Sequence, residues 1–346
     1  MAHGKRTMAF RHAVIAVLLT VLPVPNALAQ SVADFYRGKS IDLYINVSVG
    51  GGYDLYGRMV ARHIGKHIPG NPTVVPRNME GGGGLRLSNW LYNIGPKDGT
   101  AIGAVTRAMA FEPLLGNNLA RYDGTKFNYI GSANDEVSVC VAWYTSGVRS
   151  FEDARRMQLV VGASGIPDDT YQYPALLNHM FGAKFRMVLG YAGGNEINLA
   201  MERGEVQGRC AIPWSTVKAT RRSWIDDNKV SLLMQYSLGK HADLPNVPLV
   251  MDLAKTAEQR TILTLIFGRQ VMGRPFAAPP GVPKDRVDAL RKAFMETMAD
   301  REFLAEAEQL KFEVTPVSGD KLESLVLDVY RNTTPELAAQ AGAATK

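Results

Sequence analysis

The stretch Ile41-Asp42-Leu43-Tyr44-Ile45-Asn46-Val47-Ser48-Val49-Gly50-Gly51-Gly52-Tyr53-Asp54-Leu55-Tyr56-Gly57-Arg58-Met59-Val60 decides the fold. From Ile41 to Val49 it is apolar at alternate positions, the pattern of a buried strand. Gly50 to Gly52 ends that run. Leu55, Met59, Val60 and Ile64 then recur on one face of a helix. A strand, a glycine turn and a helix in that order open a parallel α/β unit.

The same grammar repeats outward from this stretch. Asn71-Pro72 breaks the chain, Thr73 to Pro76 is a second strand, and Gly81 to Gly84 lead into a helix carrying Leu87, Trp90, Leu91 and Ile94. After the turn Lys97-Asp98-Gly99, Ala101 to Val105 is a third strand, and Tyr129 to Ser132 closes the first stretch. Glu136 to Trp143 is a strong strand, and Ser150 is a helix N-cap. Leu159 to Gly162 runs into Ser164-Gly165-Ile166-Pro167, where Pro167, Asp168 and Asp169 suit a helix first turn. Arg186 to Tyr191 ends at Gly193-Gly194-Asn195, Val206 to Ile212 ends at Pro213-Trp214-Ser215, and Val230 to Tyr236 is a crossing strand. Ala277 to Pro283 reads as a loop, Pro283 to Leu304 as one amphipathic helix striped by Val287, Leu290, Phe294 and Met298, and Ala338 to Lys346 as a fraying tail.

The ends and the composition bound the function. Lys5, Arg6 and Arg11 precede an apolar run from Ala13 to Leu22, then Pro23, Pro25 and Ala27-Leu28-Ala29. Basic, apolar and small-residue segments in that order are a secretory signal, cut after Ala29. The run is shorter than the roughly 20 residues a membrane helix needs. Without that segment, 36 basic residues face 33 acidic ones, so the formal charge falls from +6 to +3. That is ordinary solubility charge and no nucleic-acid footprint. A mature chain of this length favours two domains. Cys140 and Cys210 are the two cysteines. In an oxidising compartment they either pair or remain buried thiols; their place in two strands of one lobe makes a disulfide the expectation.

Glycine or Ser-Gly turns opening helices recur at Gly50 to Gly52, Gly81 to Gly84, Ser164-Gly165 and Gly193-Gly194. In open α/β sheets, ligands lie beyond the carboxyl ends of the strands. Helix N-termini there present free N–H groups and partial positive charge, which suits an anion. Gly52 to Gly57 has phosphate-loop spacing, but Arg58 and Met59 replace the required Lys and Ser/Thr. Gly82 to Leu87 lacks the third glycine of a dinucleotide fingerprint. His63 and His67 are interrupted by Gly65 and lack the glutamate of a zinc protease, and Ser164 is no nucleophile elbow. The expectation is therefore a non-enzyme with no catalytic residue, metal or cofactor.

The chain resembles the substrate-binding proteins of tripartite tricarboxylate transporters, the Bug family. The resemblance rests on Gly50-Gly51-Gly52-Tyr53-Asp54 with Arg58, on Met79-Glu80-Gly81-Gly82-Gly83-Gly84 followed by Pro96-Lys97-Asp98-Gly99-Thr100, and on Gly190-Tyr191-Ala192-Gly193-Gly194 before Gly204-Glu205-Val206. Leu244 to Pro248 and Ala278 to Pro283 add to it. Tyr53 is bulkier than the family residue there, and the turn at Ser164 to Pro167 carries fewer glycines.

The resemblance implies an α/β two-lobed periplasmic binding fold of type II-like form, each lobe a mostly parallel sheet flanked by helices. Residues 30–133 and 238–346 would form lobe 1 and residues 134–237 an inserted lobe 2, joined by two crossing segments. It implies a periplasmic receptor, monomeric, that passes a small carboxylate to membrane transporter subunits. A sensing receptor for a membrane signalling partner, or a hydrolase on the same scaffold, are the alternatives. Candidate ligand-binding residues are Val49, Gly51, Gly52, Tyr53 and Asp54 of the first turn and Gly82, Gly83 and Gly84 of the second. Ser164, Gly165, Tyr191, Gly193, Asn195 and Trp214 would come from the inserted lobe. The two glycine loops of lobe 1, rather than a cationic side chain, would hold the proximal carboxylate. Asp54 would read the distal chemistry while pairing with a loop N–H or a ligand group.

Overall fold

A computed structural model describes residues 1–3 and 30–346. The expected signal segment and its cleavage site lie outside them. Residues Val32–Lys346 form one compact unit containing two sheets. Among the described residues no helix is long and apolar enough to cross a membrane.

The first sheet contains β1 (Ser40–Ile45), β2 (Thr73–Asn78), β3 (Ala101–Ala104) and β4 (Asn128–Ser132). The second contains β5 (Ser138–Trp143), β6 (Leu159–Ala163), β7 (Phe185–Leu189), β8 (Gly208–Pro213) and β9 (Val230–Tyr236). The chain then returns to the first sheet with β10 (Pro275–Ala278) and β11 (Val317–Ser318). The strand orders are β11-β4-β10-β3-β1-β2 and β7-β6-β8-β5-β9. β1 is parallel to β2 and β3, while β10 is antiparallel to both β3 and β4. β6 is parallel to β7 and β8, and β5 is antiparallel to β8 and β9. The expected α/β architecture with two sheets is observed, but both sheets are mixed rather than mostly parallel, because β5, β10 and β11 run antiparallel to their neighbours.

Both sheets are covered on both faces, which is why their strands read as near-continuous apolar runs. On the first sheet, Met59, Val60 and Ile64 of the helix Gly52–Ile64 pack with Leu290, Phe294 and Phe303 on one side. Leu87, Leu91, Leu322 and Val326 cover the other. On the second sheet, Tyr173 and Leu176 pack with Ile262, Phe267 and Ala341, and Met201 and Val217 lie opposite.

Three expectations about single elements change. Ala277 and Ala278, expected in a loop, end the strand Pro275–Ala278 inside the first sheet; Pro275 opens it, where a missing N–H is tolerated. The long helix from Pro283 is two helices, Lys284–Ala299 and Arg301–Gln309. Asp300 breaks it because its carboxylate accepts from the amides of Glu302 and Phe303 and caps a new helix. The tail does not fray: Pro335–Ala344 is a helix whose Ala338, Ala341 and Ala344 are buried. Val250, Met251, Ile262 and Phe267, from beyond β9, pack into the core of the second sheet. The reason is that Ala257–Phe267 has its own apolar face and finds it matched there.

Cys140 and Cys210 form a disulfide between the neighbouring antiparallel strands β5 and β8. The register shifts between Val139 and Val141, and Ala211, the next residue on β8, has φ of 58°.

Candidate functional site

Strand β1 ends at Ile45, and the chain runs through Val47 to the turn Gly50 to Gly52, where the helix Gly52–Ile64 begins. Its N-terminus has no side-chain cap, and neither does that of the helix Gly194–Glu202. Uncapped first-turn amides are donors looking for an acceptor. The helix Asp169–Phe181 differs, because Asp168 caps it through the Thr170 amide.

These three helix starts surround an enclosed space of about 50 Å³ between the two sheets. One water needs roughly 10–15 Å³ on this measure, so the space suits a ligand of a few heavy atoms. Val47, Gly50, Gly51, Gly52, Tyr53 and Arg107 line it from the first sheet's side. Ser164, Asp168, Asp169, Thr170, Gly193, Asn195, Asn198, Arg209 and Thr216 line it from the second. A smaller neighbouring cavity is lined by Asn46, Gly83, Gly84 and Tyr191, and shares Val47, Ser164 and Asp168 with the first.

Contacts across the cleft hold it shut. Ser48 Oγ donates to Glu196 Oε2 at 2.7 Å. Arg107 Nε lies 3.4 Å from Asp169 Oδ2, and Arg269 Nη2 lies 2.7 Å from Asp169 Oδ1. Arg107 also reaches the Tyr53 hydroxyl through its Nε and backbone N–H, and its Nη1 donates to Gln270.

The structure sorts the candidate residues. Gly51, Gly52, Tyr53, Ser164, Gly193 and Asn195 face the main cavity. Gly83, Gly84 and Tyr191 face the smaller one. Gly82 and Gly165 pack against each other across the cleft. Val49 is exposed at 64 %, turned away from both cavities. Trp214 is buried in the second sheet's core and donates from Nε1 to Asp243 at 3.0 Å. Asp54 is 1 % exposed and accepts from the Gly50 amide, from Arg58 Nε and from Asn78 Nδ2. Its carboxylate braces the glycine turn rather than facing the cavity.

Arg209 is the residue that sequence reasoning missed. It stands inside β8, is 6 % exposed and lines the main cavity. Its Nη1 donates to Gly194 O at 2.8 Å and to Asn198 Oδ1 at 2.7 Å, while Nε has no partner. Among the described residues no carboxylate lies within 4.0 Å of it. Burial therefore pushes its guanidinium down to about 10, with Asp168 pulling the other way. At neutral pH it remains charged. The guanidinium lies against Gly194, where a Cβ would force it to shift. The available signal was the sequence Gly208-Arg209-Cys210-Ala211-Ile212, a charge inside an apolar strand. A buried charge is costly unless something compensates it.

No family model and no curated protein matches the sequence. The fold is similar to that of solved periplasmic binding proteins. The periplasmic binding protein BugD matches with a TM-score of 0.70 at 20 % identity, over 89 % of this chain and 99 % of BugD. MatC from Rhodopseudomonas palustris, with bound malate, matches at a TM-score of 0.67 and 15 % identity, over 88 % of this chain and 99 % of MatC. An R. palustris protein with adipate matches at 0.67 and 15 %, over 88 % of this chain and 97 % of that one. This chain has the fold of those proteins.

Proposed function

We propose that the protein is a periplasmic receptor that closes two lobes around a small carboxylate, without transforming it, and delivers it to membrane transporter subunits as a monomer. The observation that carries this reading is Arg209: a buried guanidinium lining the cavity, with no carboxylate among the described residues within 4.0 Å of it. A ligand carboxylate would supply the missing charge through a charge-assisted pair worth about 1.5–3 kcal/mol. The free amides at Gly52 and Gly194 offer further donors to the same anion. The neighbours' malate and adipate are carboxylates of comparable chemistry. Lobe 1 would comprise the first sheet and its helices, and lobe 2 the second sheet with residues 249–267 and the C-terminal helix.

The test is a thermal-shift screen of small carboxylates on the purified mature chain. A specific ligand at a hundred times its Kd adds about 2.7 kcal/mol to stability. Arg209→Gln should remove the shift while leaving a folded protein. If no carboxylate shifts the melting temperature, or if Arg209→Gln responds like the parent, the reading fails.

A further inference from the structure

Between β4 and β5 the chain changes sheet through residues 133–137, and before β10 it returns through residues 268–274. The two crossings run side by side. The Ala133 amide donates to Arg274 O at 3.1 Å, the Gly273 amide to Asn134 O at 3.0 Å and the Glu136 amide to Gln270 O at 2.9 Å. Arg274, 1 % exposed, ends the second crossing. Its guanidinium reaches three parts of the molecule. Within the crossings, Nη2 lies 3.4 Å from Glu136 Oε2. Toward the second sheet, Nη2 donates to Thr216 Oγ1 at 3.1 Å and to Ser215 Oγ at 3.4 Å. Toward the first, its central carbon lies over the rings of Tyr53 and Tyr56, 4.9 Å from each centroid. Tyr53 and Thr216 line the main cavity from its two sides, and Arg274 stands behind them. The parts are close: a Cβ at Gly52 would press on both Thr216 Oγ1 and Arg274 Nη2.

Resting on the reading of this cavity as the ligand site, we propose that Arg274 is the positioning residue of lobe closure: one guanidinium that fixes the Tyr53 wall and the Thr216 wall relative to each other and to the two crossings. A guanidinium can do this because it is planar. Its edge carries donors for Thr216, Ser215 and Glu136, while its face stays free for the aromatic rings. An ammonium offers Glu136 a point charge without that face. Glu136 completes the frame from the first crossing. Its Oε1 accepts from the Ser215 amide at 3.3 Å, and its Oε2 from the Ser215 hydroxyl and from Asn134 Nδ2 at 3.0 Å. Tyr53 is held at its other end by Arg107, whose Nε donates to the tyrosine hydroxyl at 3.2 Å. Rotation of either sheet about the crossings therefore carries a cavity wall away from Arg274, and closure brings both walls back to it.

Hydrogen exchange followed by mass spectrometry, on the mature chain without ligand, tests this. The deciding variant is Glu136→Gln/Arg274→Met, which removes both buried charges and leaves neither uncompensated. If Arg274 did no more than neutralise Glu136, this variant would exchange like the parent. If it links the walls, peptides covering residues 50–60 and 212–222 exchange fivefold or more faster than in the parent, while peptides covering residues 151–162 and 319–332 keep the parental rate. Arg274→Lys keeps the charge beside Glu136 and loses the planar face, so it should show the same pattern; it decides the matter if the double variant does not fold. The proposal is overturned if the two cavity peptides stay as protected as in the parent, if one of them alone responds, or if the other two peptides speed up equally. No ligand enters this measurement. A thermal-shift screen in which no carboxylate binds would sink the receptor reading and leave the exchange result standing, whereas parental exchange in the variants would sink the role of Arg274 alone.

Discussion

Gly165 packs directly on the backbone of Gly83: a Cβ at position 165 would lie 2.7 Å from the Gly83 nitrogen. The glycine turns of the two sheets therefore meet across the cleft, and closure needs both to lack side chains. Gly83 itself has φ of 62°, a conformation that β-branched residues resist. Gly165→Ala should hold the cleft ajar and weaken ligand binding tenfold or more, with little change in melting temperature. Gly83→Val should act in the same direction. Arg86→Ala should change affinity little, since Arg86 Nη1 donates to the Glu80 carbonyl at an exposed site and lines neither cavity. Calorimetry gives the affinities, and a larger radius of gyration by solution scattering would confirm the open cleft. Unchanged binding by Gly165→Ala would refute this.

Asp54 holds the first turn through three separate partners: the Gly50 amide at 2.9 Å, Arg58 Nε at 2.9 Å and Asn78 Nδ2 at 2.8 Å. Asp54→Ala removes the acceptor of three partly buried donors, of which Asn78 Nδ2 keeps the Val47 carbonyl, at a cost of about 1–3 kcal/mol. Stability should fall by that order in denaturant titrations. Affinity should fall too, for every ligand alike, because the turn loosens. A change confined to one ligand type would instead mark Asp54 as a specificity residue.

The disulfide Cys140–Cys210 closes a loop of 70 residues next to Arg209. On chain-entropy grounds its loss costs about 4 kcal/mol. The double variant Cys140→Ser/Cys210→Ser should show that drop by denaturant midpoint. Its binding should weaken as well, because the bond and the adjoining register shift fix where β8 presents Arg209. Normal affinity in a less stable protein would separate the two roles.

Asp300 accepts from Lys66, His67 and two backbone amides, and the Lys66 ammonium above all holds its carboxyl well below the usual range. A depressed carboxylate contributes stability that is present above its unfolded value, about 4, and lost as pH falls through the folded value. Asp300→Asn should therefore melt at a lower temperature than the parent at pH 7, and the gap should close as pH drops below about 4. A gap that persists at acid pH would contradict the charge-based account.

The sequence by itself determined most of the order of strands and helices and the glycine turns at strand ends. These follow from local periodicity and from the absence of a side chain, and both are written in consecutive residues. It misread Ala277 and Ala278 because the four-residue strand that holds them, opened by a proline, owes its existence to the neighbours β3 and β4. It missed the cap at Asp300, which interrupts an otherwise helical stripe. Above all, only the tertiary structure decided which charges are spent. Asp54 and Trp214 look available in the sequence and are occupied by Arg58 and Asp243. Arg209, marked locally only as a charge inside an apolar strand, is left facing the cavity. Compensation of a buried charge depends on distances across the fold, and those belong to packing rather than to the order of residues.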